Sequence, residues 1–194
     1  MNAICDAIQR GDEAMAVGLI DSVKDAAGLG ICLARACAVG FMECTKLLLA
    51  AQAAVDQATG NGVTPLYAAC DKGNGGCVQL LLAAHAAVDK ADSNGATPLI
   101  AACIKDRGDC VRLLLGVDQA ASNGVTPLLY ACDRGHGVSV QLLLAAHAAV
   151  DQATSNGITP LMAACNKGDG DCVQLLLAAH APPSIRQTAT ASRL

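Results

Sequence analysis

The sequence predicts an all-α fold, a solenoid of about six short helix-turn-helix units stacked on one another. Three observations support this prediction. A phrase of ten residues recurs along the 194-residue chain, a second apolar phrase follows each copy, and hydrophobic residues make up 53% while aromatic residues make up 2%. A core of Ala, Leu, Val and Cys suits close-packed short helices better than a β-sandwich, whose strands favour β-branched and aromatic residues.

The recurring phrase marks the beginning of a unit. It is NGVTPLYAAC at Asn61 to Cys70, and it returns as NGATPLIAAC, NGVTPLLYAC and NGITPLMAAC from Asn94, Asn123 and Asn156. The first and last of these copies, extended over 26 positions, agree at 21 of them. Self-similarity at a period of about 33 residues indicates one supersecondary unit per copy.

Local chemistry predicts where each helix begins and ends. Thr64 can cap a helix through its hydroxyl, with Pro65 at the first helical position. Gly73 provides a left-handed residue that ends this helix, and a second helix is expected over Val78 to Ala84. The Asn-Gly pair at 61 and 62 favours a tight turn before the next Thr-Pro.

Histidines recur where the second helices are expected to end, at His85, His147 and His180. Histidine is among the residues that tolerate a left-handed conformation, so we interpret the three as helix caps. A pH-sensitive or metal-binding series is the alternative interpretation.

The Thr-Pro-Leu phrase, the Ala-Ala pair and the Gly-x-x-x-Val-x-x-Leu-Leu phrase together resemble the ankyrin repeat. The resemblance continues in weaker form upstream of Asn61, which gives six units over about residues 3 to 181. The expected boundaries are a degenerate capping repeat at 1–30, a repeat lacking Thr-Pro at 31–63, repeats at 64–96, 97–125 (shortened), 126–158 and 159–181 (without a polar cap), and a disordered tail at 182–194.

The resemblance implies a protein-binding surface. In ankyrin repeats the residue before Thr-Pro and the last two residues of the first helix face a concave groove that binds other proteins. The corresponding candidates here are Val63, Asp71, Lys72, Ala96, Ile104, Lys105, Val125, Asp133, Arg134, Ile158, Asn166 and Lys167. The cations in this set suggest an acidic or extended peptide as partner, whereas the alternative is that they only complement helix C-termini.

The chain has eleven cysteines, and eight of them form four pairs with a spacing of seven, as at Cys70 and Cys77. Metal sites usually use a closer spacing such as C-x2-C. We therefore interpret the cysteines as small core residues, with a thiol-based metal or redox protein as the less favoured alternative.

Other classes of function find little support in the sequence. The net charge of −4 disfavours nucleic acid as a partner. No apolar run reaches the ~18 residues of a membrane span, and no export signal is visible. Phosphate loops and nucleophile motifs are missing, so the sequence predicts no enzyme, catalytic residue, metal or cofactor.

The C-terminal part supports two further expectations. The last repeat lacks the polar substitutions of a capping repeat, which suggests self-association through that face or a fragment of a larger multidomain ankyrin protein. An architectural spacer is a further alternative to a binding module. A cytoplasmic location is expected, with the nucleus as one alternative. The final Ser192, Arg193 and Leu194 are similar to a peroxisomal address, which makes the peroxisome another.

Overall fold

Residues 2–20, 25–115 and 126–180 are described by a computed structural model of the chain. These residues form twelve α-helices and no strand, which confirms the all-α prediction for them. The chain divides into two compact units, Met1–Ser122 and Asn123–Leu194. Val125, the tail at 182–194 and its last three residues lie outside the described residues, so the expectations for them stay predictions.

The helices follow one another in pairs, one pair per repeat. Unit 1 contains α1 (Asn2–Gln9), α2 (Glu13–Ile20), α3 (Ala26–Val39), α4 (Met42–Ala50), α5 (Pro65–Lys72), α6 (Gly75–Ala83), α7 (Pro98–Ile104) and α8 (Gly108–Leu115). Unit 2 contains α9 (Pro127–Arg134), α10 (Gly137–Ala145), α11 (Pro160–Lys167) and α12 (Gly170–His180).

The Thr-Pro phrase begins the first helix of each repeat that carries it, as predicted. The Thr64 hydroxyl accepts a hydrogen bond from the Tyr67 N–H at 3.2 Å, and Pro65 is the first residue of α5. Gly73 then ends α5 in a left-handed conformation with φ 81°. In the fourth repeat, which has no glycine there, α7 ends at Ile104, Lys105 caps it, and Asp106 takes the left-handed conformation with φ 52°.

The predicted histidine caps are confirmed at two of three positions. His85 and His147 follow α6 and α10 with φ values of 58° and 60°. The prediction is wrong for His180, because α12 continues through it. Its Nε2 lies 3.0 Å from Oδ1 of Asp151.

Within unit 1 the first helices pack on one another in the order α3, α5, α7, and the second helices pack in the order α4, α6, α8. In unit 2, α9 packs on α11 and α10 on α12. The leucine run of α6 does not point uniformly inward, because successive helical residues are about 100° apart. Leu81 is fully buried, whereas Leu80 and Leu82 are half-buried.

Glycines at the ends of first helices also provide room for the next repeat. A Cβ on Gly40 would lie 2.9 Å from Oδ1 of Asn74, and one on Gly73 would lie 2.7 Å from Cδ of Arg107. The Asn74 amide donates hydrogen bonds to the carbonyls of Cys37 and Ala38 at 2.7 and 3.1 Å. Asn74, which directly follows Gly73, therefore covers the C-terminal end of α3 in the preceding repeat.

The Asn-Gly turns at 61–62, 94–95 and 156–157 form as expected and connect successive repeats, and the one expected at 123–124 lies outside the described residues. Gly62 has φ 76°, and its N–H donates to the Thr59 carbonyl at 2.9 Å. The Ser93 N–H of the next turn donates to the Asn61 carbonyl at 3.0 Å. Backbone groups of the turns are thus satisfied by neighbouring turns as well as locally.

Ten of the eleven cysteines are buried, as expected of core residues, but Cys165 is exposed, so the core interpretation is wrong there. The reason lies in the packing of α11. The preceding Cys132 on α9 is fully buried in unit 2, where α11 packs on α9. Among the described helices of unit 2, no further first helix packs on α11 in the way that α11 packs on α9. The Cys165 side chain is therefore left uncovered.

Candidate functional site

The candidate binding residues lie at the ends of the first helices and in the preceding turns. Lys72, Arg134 and Lys167 are the last residues of α5, α9 and α11, and Lys105 immediately follows α7. All four cations are exposed. The helix termination described above therefore places one cation at a corresponding point of four repeats.

The other candidates differ in accessibility. Asp133, Asn166 and Ile158 are exposed, and Val63, Asp71 and Ile104 are half-buried. Ala96 is only 8% exposed, and its N–H donates to Oδ1 of Asp92 at 2.9 Å. Ala96 can therefore offer little contact area.

Two of the four cations are paired with the residue before them. The Lys72 Nζ lies 2.9 Å from Oδ2 of Asp71, and the Arg134 Nε lies 3.6 Å from Oδ2 of Asp133. In both pairs the cation is more than half exposed, so solvent screens the attraction. These two sites are close to electrically neutral.

Lys105 and Lys167 follow Ile104 and Asn166 instead of an aspartate. Within the described ranges, no carboxylate forms an ion pair with either lysine. They stand at helix C-termini, where the carbonyl ends of the helix favour a cation. The repeat pattern predicted four equivalent cations. The residue before each cation could have distinguished them, because only Lys72 and Arg134 follow an aspartate.

A shallow cleft of about 480 Å³ lies in unit 2 between the ends of its first helices and the start of α12. Two cations, Arg134 and Lys167, and two carboxylates, Asp169 and Asp171, contribute to its lining. Asp169 already accepts the Cys172 N–H at 3.0 Å. The mixed charges and the open shape suit contact with another protein better than enclosure of a small molecule.

Buried thiols form a second regular set, which the spacing of seven did not reveal. The first-helix cysteine of one repeat contacts the second-helix cysteine of the next, forty residues later, in Cys37 with Cys77 and in Cys70 with Cys110. The hydrogen bond between the two thiols raises the pKa of Cys37 and lowers the pKa of Cys77. The signal was present in the sequence, since forty is one repeat plus seven.

Among the described residues, no group of three or more His, Cys, Asp or Glu side chains is arranged to hold a metal ion. The helices described here are also too short or too polar to cross a bilayer.

The family described as Ankyrin repeats (3 copies) matches residues 33–123 and 116–187. The chain belongs to the ankyrin repeat family. Ankyrin repeats are generally protein-protein interaction modules without catalytic activity. A search of curated proteins gave no significant match.

Because the chain is an ankyrin repeat protein, the helix ends and turns of its repeats are corresponding positions and can be compared with one another. The ankyrin framework of this chain, with its Thr-Pro starts and left-handed helix ends, repeats with little change, while exposure and charge pairing vary between repeats. A binding role must therefore be argued from these exposed positions and not from the framework.

Proposed function

We propose that this ankyrin repeat protein binds another protein, or an extended peptide, through the ends of its first helices and the adjoining turns, without chemistry of its own. The observation that carries the proposal is the placement of an exposed cation at the end of the first helix in four repeats, at Lys72, Lys105, Arg134 and Lys167. An acidic segment is the partner that fits these charges.

The unpaired cations contribute most under this proposal. An acidic partner that approaches Lys72 or Arg134 must compete with Asp71 or Asp133, at 2.9 and 3.6 Å. Lys105 and Lys167 are not preceded by an aspartate, and no carboxylate among the described residues forms an ion pair with either lysine. Rim charges of this kind act mainly on association rate and on salt dependence.

The experiment is a quantitative pull-down with the full chain and two variants. One variant carries Lys105→Glu and Lys167→Glu. The matched control carries Lys46→Glu and Arg112→Glu, which change net charge equally but lie on the second helices α4 and α8, next to Glu43 and Asp109. We expect a set of bound proteins to be reduced about tenfold by the first variant and retained by the control.

Two results would contradict the proposal. If both variants retain every protein equally, the helix-end cations do not bind partners. If both lose the same proteins equally, the net charge of the chain, and not this surface, determines binding.

A second candidate function is architectural. Unit 2 exposes an apolar face on α11 and α12, where Met162 and Leu177 are 49% and 52% exposed and Cys165 is exposed. We propose that this face associates with a second copy, as a spacer or oligomerising array would. Analytical ultracentrifugation under reducing conditions should show concentration-dependent association that Met162→Glu with Leu177→Glu abolishes, and a strict monomer at high concentration would refute it.

A further inference from the structure

We propose that Cys5 and Cys32 form a reversible disulfide that fastens the first helix of the chain to the second repeat. Both residues lie in unit 1, Cys5 on α1 and Cys32 on α3. Nothing in the binding proposal depends on these residues, so this inference stands independently of it.

The geometry of the two thiols supports a bond between them. Their Sγ atoms lie 2.9 Å apart, although the two residues are 27 positions apart in the sequence. Non-bonded carbon atoms, which are smaller than sulfur, rest about 3.5–4.0 Å apart, and a disulfide bond is about 2.04 Å long. Packing of α1 against α3 therefore already brings the sulfurs closer than an ordinary contact, and little movement remains before they can bond.

Access for an oxidant comes from the position of α1. This helix has eight residues and packs mainly on α2 and α3. Within unit 1, α1 packs on two helices, whereas α3 and α6 each pack on three, and a helix with fewer packed neighbours opens locally at a lower free-energy cost. Cys5 is 7% exposed before any opening, whereas Cys32 is fully buried, so Cys5 meets the oxidant first.

The reaction is a pair of thiol-disulfide exchanges with a small disulfide, for which we take oxidised glutathione. The Cys5 thiolate attacks one glutathione sulfur, which forms a mixed disulfide and releases one glutathione thiolate. The Cys32 thiolate then attacks the Cys5 sulfur, forms the protein disulfide and releases the second glutathione thiolate. Each released thiolate takes up one proton, so two protein thiols are oxidised and one glutathione disulfide is reduced.

This order of attack agrees with the environment of Cys32. Burial and the hydrogen bond with Cys5 raise the pKa of Cys32 to about 12, and Arg35 opposes the rise only in part. Cys32 is therefore a poor first nucleophile. Once Cys5 carries glutathione, the proximity of the two sulfurs favours the second exchange.

The location of the Cys37–Cys77 pair explains why oxidation should be selective for Cys5 and Cys32. Cys37 and Cys77 are buried between α3 and α6, with the Thr45 hydroxyl 3.8 and 3.6 Å from their sulfurs. These helices have neighbours on both sides in unit 1. Opening that pair requires separating inner repeats, so it should resist oxidation under conditions that oxidise the Cys5–Cys32 pair.

The test uses the full chain carrying Cys165→Ser, which removes the exposed thiol. The native protein is incubated with oxidised glutathione, the remaining thiols are alkylated, and peptides are mapped without reduction. We expect a peptide that links Cys5 to Cys32 and disappears on reduction, together with about 100-fold slower hydrogen exchange of α1 amides after oxidation. A persistent mixed disulfide at Cys5, or an oxidised form in which Cys5 is joined to Cys44, a buried cysteine of α4, would overturn the proposal.

Two further variants separate this pair from general thiol oxidation. Cys5→Ser should abolish the linked peptide and the protection of α1, and the circular dichroism of the reduced variant establishes that it folds. Cys103→Ser, which replaces another buried thiol of unit 1, should leave both unchanged. If Cys103→Ser suppresses the linkage as strongly as Cys5→Ser does, the effect is not specific to the pair and the proposal fails.

Discussion

Cysteines at corresponding positions of two repeats differ in burial because of the element that covers them. Cys132 and Cys165 occupy the same place in the repeated phrase, and only Cys165 is exposed. The sequence predicted the residue type and its place on the first helix. It could not predict the exposure, because burial at this position is provided by a different repeat.

Thiol labelling should therefore distinguish the two classes of cysteine. In the reduced native protein, an aromatic disulfide reagent should modify Cys165 rapidly and the ten buried thiols only slowly, and in denaturant it should modify all eleven. The measurement is absorbance of the released thiolate, with Cys165→Ser as control. Rapid reaction of several thiols in that control would contradict the buried positions.

Replacing a histidine by glycine should raise the stability of the chain at position 85 and lower it at position 180. His85 is left-handed with φ 58°, so His85→Gly relieves strain and should stabilise the chain by up to about 1 kcal/mol. His180 is the last residue of α12 and its Nε2 lies 3.0 Å from Oδ1 of Asp151, so His180→Gly removes this contact and should destabilise the chain by about 0.2–1 kcal/mol. Urea unfolding of both variants measures the difference, and equal signs would refute the assignment of two conformations.

At the scale of the element, the beginnings and ends of helices were largely predictable. Thr64 and Pro65 begin α5 through local chemistry, which a sequence displays directly. The beginning of α3 was not found, because it lacks Thr-Pro and begins at Ala26 after an Asp25 cap, ahead of the expected boundary at residue 31. Asp is also common in turns, so Asp25 alone could not decide the start.

The glycines that follow first helices have similar backbone angles, but replacing them by alanine should reduce the free energy of unfolding by different amounts. Gly40→Ala must displace Asn74, which makes two hydrogen bonds to the end of α3, whereas a Cβ on Gly11 would meet nothing within 4 Å. Both changes carry the cost of a left-handed alanine, about 1–2 kcal/mol. Gly40→Ala should cost about 1–2 kcal/mol more in urea unfolding, and equal losses would mean that the closure by Asn74 contributes nothing.

Leu80 and Leu81, which are neighbours on α6, should likewise differ in how much they stabilise the chain. Leu81 is fully buried, so Leu81→Ala should destabilise the chain by about 2–5 kcal/mol through lost burial and a cavity. Leu80 is half-buried, so Leu80→Ala should cost clearly less. The sequence run of three leucines gave no indication of this order, which depends on the direction in which each side chain leaves the helix. Chemical denaturation of the two variants, compared at equal m-value, measures it.

At the scale of the whole molecule, six similar repeats gave no reason to expect an internal division. The chain nevertheless separates into Met1–Ser122 and Asn123–Leu194. The boundary falls within the repeat at 97–125, which the sequence already showed to be shortened. The candidate binding residues were predictable only as positions, because the pairing of cations with Asp71 or Asp133 and the burial of Ala96 depend on the folded chain.

Stability should fall at alkaline pH because both units contain buried thiols. Burial raises the pKa of Cys103 and of Cys132 from about 9 to about 12. The folded state keeps these protons while the unfolded chain loses them above pH 9. Their contribution is therefore complete below pH 9 and declines toward pH 12, by up to about 1.4 kcal/mol per pH unit for each thiol.

Urea midpoints measured between pH 8 and pH 11 in the presence of reductant should show this decline. Cys103→Ala and Cys132→Ala should flatten the slope, whereas Cys165→Ala, at the exposed site, should leave it unchanged. Identical slopes for all four proteins would mean that other groups determine the alkaline limit.

The forty-residue interval between contacting thiols has a consequence for how such a gene can change. The repeat at 64–96 supplies one sulfur to the repeat before it, through Cys77 with Cys37, and one to the repeat after it, through Cys70 with Cys110. Unequal crossing-over that duplicates this one repeat would place a first-helix cysteine beside a second-helix cysteine at the new junction as well. Copies of this repeat can therefore be added by recombination without an unmatched thiol between them.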